Sequence, residues 1–210
     1  IVFGNTIGSN NFNLLCILGI SGLIYPLFVQ RKTIFIELPI SVLAAVVVLL
    51  LVNDKWFGHS ENILTLVDGL ILLGFFALFI LYVFKTSKSD LIAESSSDEP
   101  EKPLWSTLIF IALGITGLIV GGHLVVANAS SLASSAGVSD TVVALTVVSF
   151  GTSLPELATS AVAAFKKRPD LAVGNIVGSN IFNLLLILGI STLAGPKKYD
   201  SHLNVDILIL

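Results

Sequence analysis

The chain has 210 residues, 54% of them hydrophobic and 12% charged, and its mean hydropathy is +0.95. A soluble domain of that size would need far more polar surface to cover its core, so the composition excludes a soluble globular protein and indicates an all-α polytopic integral membrane protein. The net charge of -3 says little about partners, because in such a chain the placement of charge matters more than its sum, and the single Cys16 excludes an intrachain disulfide or a cysteine metal cluster and reads as packing.

A transmembrane helix needs about 20 apolar residues, and six stretches supply them. Segment one covers residues 2–28 and closes at Tyr25-Pro26 and Gln30-Arg31-Lys32. Segment two, 34–52, is a plain apolar helix with Glu37 and Pro39 near its start; 53–62 is a polar turn with Trp56 at interfacial depth. Segment three, 63–84, contains Asp68-Gly69 and is otherwise an ordinary lipid-facing helix. Residues 85–103 are Ser-rich, charged and Pro-punctuated, which is linker composition and too short for a folded domain. Segment four, 104–129, is Gly-rich and holds His123, with a small polar loop at 130–139. Segment five, 140–165, is interrupted at 151–156 and ended by Lys166-Lys167-Arg168-Pro169. Segment six covers 171–193, and Gly195-Pro196-Lys197-Lys198 lead into a seventh. This divides the chain into a partial N-terminal repeat at 1–84, a cytoplasmic linker at 85–103 and a C-terminal repeat at 104–210. The chain opens at Ile1, contains no Met and stops inside an apolar run, so a fragment of a longer protein is expected.

Loop charge alternates. The loops after segments one, three and five hold eight of the 11 Lys and Arg: Arg31, Lys32, Lys85, Lys88, Lys102, Lys166, Lys167 and Arg168. Lys55, Lys197 and Lys198 lie on the other side. Positive-inside bias places the first set in the cytoplasm, with the inner membrane of a prokaryote as the expected location.

Gly4 to Leu23 reads GNTIGSNNFNLLCILGISGL and Gly174 to Leu193 reads GNIVGSNIFNLLLILGISTL, with fifteen of twenty positions identical at a constant offset of 170. The copies lie on segments one and six, an odd number of spans apart, so they cross the bilayer in opposite directions. That is an inverted-topology repeat, which in transporters brings the substrate site to the midplane. Asn5, Ser9 and Asn13, and equally Asn175, Ser179 and Asn183, fall at i, i+4 and i+8, a polar stripe on one helix face. Small and amide residues also serve as helix-packing glue; the duplicated stripe in opposite orientation favours a pathway.

The interruption in segment five adds chemistry. Pro155 has no N–H, so the carbonyl of Gly151 loses its helical partner and the chain kinks. Thr152 and Ser153 lie four and three residues before Glu156, so hydroxyl, carbonyl and carboxylate oxygens converge. A mid-span carboxylate is costly unless it pairs with a cation or is protonated; a Pro kink with a neutral, hydrogen-bonded Glu is the structural alternative. An all-oxygen set suits a hard cation, and calcium takes six to eight such ligands. One carboxylate is too few for a divalent ion, so a second broken helix with its own carboxylate is expected ahead of Ile1.

FGTSLPE at Phe150 to Glu156, followed by GNIVGSNIFN at Gly174 to Asn183, resembles the second signature repeat of the calcium/cation antiporter superfamily, which includes the sodium/calcium exchangers; GNTIGSNNFN at Gly4 to Asn13 is similar to the latter half of the first. The resemblance implies a ten-helix inverted-repeat fold, with helices three to eight and the start of nine in this chain and the N-terminal helices as missing partners. It implies calcium and sodium as transported ligands, with no covalent cofactor and no enzyme activity. Glu156 would be the central carboxylate of this half, Thr152 a carbonyl donor, Ser153 a hydroxyl and carbonyl donor, and Ser149 a carbonyl at the outer part of the site. Ser179, Asn183, Ser9 and Asn13 would complete the ligand wall. Many sodium/calcium exchangers have Asp in place of Asn183. An amide there carries one negative charge less, and proton-coupled calcium exchange is the alternative. The short 85–103 loop stands where animal exchangers insert calcium-sensing domains, so that regulation is not expected.

Two other readings compete. Gly151-Thr152-Ser153 with His123 in a neighbouring span has the ingredients of an intramembrane serine protease, but GxS is a weak motif and that chemistry needs neither Pro155 nor Glu156. A non-transporting scaffold would not need inward polar stripes. Glu37, Asp68 and Asp206 lie near span ends and read as structural; Asn128-Ala129-Ser130 is a sequon of a kind frequent by chance.

Overall fold

The computed structural model describes residues 2–94, 103–138 and 149–210. Five helices among the described residues are long and apolar enough to cross a membrane. Helix α1 runs Val2–Ile24, α2 Thr33–Val52, α3 Leu66–Glu94 with its apolar part at Leu66–Thr86, and α4 Leu104–Ser135. After residues 139–148, which lie outside the described part and hold most of the first half of segment five, come the short helices α5, Ser149–Thr152, and α6, Leu154–Phe165. Helix α7 covers Pro169–Leu193 and α8 Asn204–Leu208.

Two helices outrun their expected ends. Helix α3 continues to Glu94, ten residues into the stretch read as linker, because no Pro or Gly interrupts the i→i−4 ladder there; residues 95–102 of that linker lie outside the described part. Helix α4 likewise absorbs residues 130–135 of the expected loop. Its run of Ala and Ser is helix-compatible, and the chain turns only at Gly137, whose φ of 83° is the left-handed conformation that glycine adopts freely.

Helix α7 is the centre of the molecule. Half of its spanning window is buried, against none for α4. Val173, Val177, Ile181, Leu184, Leu185 and Leu188 of α7 meet Phe3 and Ile7 of α1, Ala44, Ala45 and Val48 of α2, and Leu72 of α3 in one core. Helix α3 was expected to face lipid throughout. Instead its first turns lie tight against the end of α7: a Cβ on Gly69 would overlap Thr192 Oγ1, and one on Gly189 would sit 2.9 Å from Leu73 Cγ and 3.1 Å from the Gly69 carbonyl oxygen. Without a hydrophobic drive between helices in lipid, such backbone proximity is how membrane helices gain contact energy. Cys16, expected to pack, is exposed on the outer face of α1.

The same seam is pinned outside the spans by two short strands, β1 (Ile63–Leu64) and β2 (Lys197–Lys198), paired antiparallel with Ile63 opposite Lys198 and Leu64 opposite Lys197. Tyr199 then donates from its hydroxyl to Asn204 Oδ1 at 2.8 Å. Burial, with the carboxylates of Asp206 and Asp200 nearby, pushes the Tyr199 phenol well above its ordinary pKa, so it stays a donor. Asn204 in turn exchanges two amide hydrogen bonds with buried Asn53, at 2.9 and 3.0 Å.

The repeat extends to the backbone. Helix α1 widens into a π-helical turn at Asn13–Ile17, and α7 does so at Phe182–Ile187, beginning at or beside the equivalent residues Asn13 and Asn183. The sequence stripe assumes an unbroken 3.6-residue pitch, so this widening was not foreseen; π turns of this kind are found disproportionately at functional sites.

Candidate functional site

The break predicted in segment five lies at Ser153, whose φ of -97° and ψ of 1° separate α5 from α6. Pro155 stands in the first turn of α6, where its missing N–H costs nothing. The Ser153 N–H bonds the Phe150 carbonyl at 3.1 Å, and Leu157 N–H bonds that of Ser153 at 3.0 Å. Gly151 lets α5 close on α4, since a Cβ there would overlap Val126 Cγ2. Its own carbonyl oxygen lies 3.8 Å from where a Cβ on Gly122 would be, so the carbonyl freed by Pro155 rests against α4.

Glu156 follows in the first turn of α6. Its Oε2 is buried and has no hydrogen-bond partner. It borders a cavity of about 420 Å³ whose other walls are Gly174, Asn175, Gly178, Ser179, Phe182 and Asn183 of α7. The two glycines leave room on the helix face, and Asn175, Ser179 and Asn183 are the polar stripe read from the sequence. Asn175 does something more specific than line the space. Its Nδ2 lies 2.9 Å from Thr159 Oγ1, 3.0 Å from Ser160 Oγ and 3.4 Å from the Glu156 carbonyl oxygen, which ties α7 to the segment carrying the carboxylate.

The α1 copy reaches the same region from the opposite direction. The buried Ser9 shares a hydroxyl hydrogen bond of 3.1 Å with the exposed Thr152, and Phe12 meets Phe150 edge to face at 5.0 Å, so α1 is docked directly on the break. Ser153 is buried at 1% exposure, and Ser149 is the first residue of α5. Asn13 Nδ2 donates to Asn180 Oδ1 at 3.1 Å, and Asn183 Nδ2 to Asn10 Oδ1 at 2.9 Å. Asn10 and Asn180 were not singled out from the sequence. Both lie inside the duplicated block, but off the i, i+4, i+8 stripe. Their only sequence signal was the paired Ser9-Asn10 and Ser179-Asn180 identity.

Chemically the site is made of oxygens. Glu156 Oε2 and Asn13 Oδ1 are both buried acceptors without a donor, and an unmet buried acceptor costs about 1–3 kcal/mol, more when charged. A hard cation is the kind of partner that such oxygens accept. Among the described residues no three His, Cys, Asp or Glu side chains gather at one point, so carbonyl, amide and hydroxyl oxygens would supply most of any coordination shell. The protease arrangement is absent among the described residues: Ser153 is buried, His123 is exposed, and no hydrogen bond joins them.

An inverted repeat of membrane-spanning helices, meeting at a broken helix with one carboxylate, defines a transporter fold. The sodium/calcium exchanger protein family matches residues 1–85 and 106–210, and the chain belongs to it. CaxA of Alkalimonas amylolytica, named as an antiporter, is 36% identical over 204 residues, which are 94% of this chain and 62% of CaxA. The sodium/calcium exchanger MaX1 of Methanosarcina acetivorans is 41% identical over 92 residues, 44% of this chain and 26% of MaX1. Among solved structures, the sodium-calcium exchanger NCX_Mj soaked with 10 mM Na+ and zero Ca2+ superposes with a TM-score of 0.76 at 29% identity, covering 99% of this chain and 66% of that one. The chain thus spans about three fifths of CaxA and two thirds of the solved exchanger. It is a multi-pass integral membrane protein.

Proposed function

We propose that the protein exchanges calcium for sodium across the membrane by alternating access, with the ion held between the α5–α6 break and the polar stripes of α1 and α7. The observation that carries this reading is the pair of buried, unpartnered acceptors, Glu156 Oε2 and Asn13 Oδ1, contributed by the two sides of an inverted repeat. Glu156 supplies the charge. Ser179 and Asn183, which share its cavity, and Ser9, Asn13, Thr152, Ser153 and Ser149 supply neutral oxygens from side chains and from the carbonyl ends of α5. Half-helix ends and unwound carbonyls are the cation ligands that broken membrane helices offer. The family membership and the likeness to NCX_Mj support the choice of ions. In this reading residues 1–84 and 104–210 are the two repeat halves and 85–103 joins them in the cytoplasm.

The neutral amides at positions 13 and 183 favour one competitor, proton/calcium exchange, in which Glu156 also carries the proton. Calcium flux into proteoliposomes separates the two. Uptake that reverses with an imposed sodium gradient supports sodium coupling; uptake indifferent to sodium that follows a pH gradient supports the competitor. Glu156→Gln abolishes flux in either case, and flux that survives it refutes the site.

A further inference from the structure

Across the repeat interface, four amides form a closed, pseudo-symmetric set. Asn10 Nδ2 donates to the Asn180 main-chain carbonyl at 3.1 Å, and Asn180 Nδ2 donates to that of Asn10 at 3.4 Å. Asn183 Nδ2 donates to Asn10 Oδ1 at 2.9 Å, and Asn13 Nδ2 to Asn180 Oδ1 at 3.1 Å. Each bond has its counterpart at the repeat offset of 170.

The direction of every donor follows from one fact: a main-chain carbonyl only accepts. Asn10 and Asn180 must therefore turn their NH2 groups toward each other's backbone, which turns their Oδ1 atoms toward Asn183 and Asn13. Those oxygens need donors, so Asn183 and Asn13 must present Nδ2 to them. The remaining atom of each outer amide, its Oδ1, then takes no part in the four bonds. For Asn13 that oxygen is buried without a partner, and Asn183 lines the cavity beside Glu156. Asn10 itself is wholly buried and Asn180 nearly so, so water does not compete for these bonds.

We propose that Asn10 and Asn180 are positioning residues that lock the Asn183 and Asn13 amides with oxygen toward the ion path. The inference rests on the ion-site reading above. It accounts for amides at 13 and 183: an ionised Asp there would place a carboxylate oxygen against the Oδ1 of Asn180 or Asn10, and relieving the clash by turning that inner amide would set its Oδ1 against a main-chain carbonyl.

The test is a double-mutant cycle on the full-length protein in proteoliposomes, reading the half-saturating calcium concentration and the maximal exchange rate, with Glu156→Gln as control. Asn180→Leu releases the Asn13 amide and raises half-saturation about tenfold, the scale of one buried hydrogen bond, while the maximal rate stays within about twofold. Adding Asn13→Asp to Asn180→Leu restores half-saturation, because a carboxylate presents oxygen whichever way it turns. In the native background Asn13→Asp brings no such gain. If Asn13→Asp has the same effect in both backgrounds, the orienting role is refuted and Asn180 is a packing residue. Should Asn180→Leu not yield folded protein by size-exclusion chromatography, Asn180→Ser enters the same cycle with the same two outcomes. Loss of flux in Glu156→Gln with an additive cycle overturns only the positioning role; flux retained in Glu156→Gln overturns the ion site and the positioning role together.

Discussion

Helices α1 and α7 carry nearly the same twenty residues, and among the described residues they stand in different surroundings. In α7, Asn175 is tied to the Glu156 segment by Thr159, Ser160 and the Glu156 carbonyl, whereas the side chain of Asn5, its mate in α1, makes no hydrogen bond among the described residues. Gly189 is wedged against Leu73 and the Gly69 backbone, while nothing approaches its mate Gly19 within 4 Å. Half of the α7 window is buried and a third of the α1 window. Yet at Asn10, Asn13, Asn180 and Asn183 the two copies are interchangeable, bond for bond. Where the copies face each other, identity of sequence gives identity of structure; elsewhere, the neighbours they meet among the described residues differ. Away from that axis, the partner helix decides what a residue does.

Substitutions can break or sharpen this contrast. The largest effect is expected at the buried carboxylate of the α5–α6 break: Glu156→Gln lowers calcium flux by about 100-fold or more, the scale of removing one partner from a buried ionic interaction. Next comes the glycine pair. Gly189→Ala destabilises the protein by about 1–3 kcal/mol through overpacking against α3, read as a fall in thermal unfolding midpoint in detergent, while Gly19→Ala is neutral or stabilising by up to about 1 kcal/mol through helix propensity. Equal losses at both glycines would show that the α3 seam is not what distinguishes the copies.

Where the copies are symmetric, effects should match. Asn13→Leu and Asn183→Leu each raise half-saturating calcium about tenfold, and the two values agree within about threefold; a large disparity would mean that the pseudo-symmetric amide set does not carry over to ion binding. The smallest contrast is between Asn175→Ala, which costs about 1 kcal/mol for lost interhelical hydrogen bonds, and Asn5→Ala, which costs less than about 0.5 kcal/mol. Chemical or thermal unfolding of the two variants side by side decides it.

How much of this was legible beforehand varies from element to element. The break at Ser153 was readable because Pro155 is a local, covalent constraint: a missing N–H interrupts a helix whatever surrounds it. The cavity wall of Asn175, Ser179 and Asn183 was readable because helical periodicity sets which side chains share a face. The helix ends at Glu94 and Ser135 are not legible in the sequence, since polar composition marks where a chain leaves lipid and not where its hydrogen-bond ladder stops. Asn10 and Asn180 do not stand out in the sequence because one helix in isolation gives no reason to separate them from Asn11.

By itself the sequence determined the membrane class, the inverted repeat, the broken helix and the oxygen chemistry of the stripe, all of which follow from hydropathy, identity at a fixed offset and local backbone constraint. Only the tertiary structure decided which buried oxygens are left without a donor, which glycines carry a helix seam and which amides bond one another across the repeat. Each of those depends on what stands opposite, across an interface that joins residues 173 apart at the Asn183–Asn10 bond, and a donor or a close approach exists only once both sides are in place.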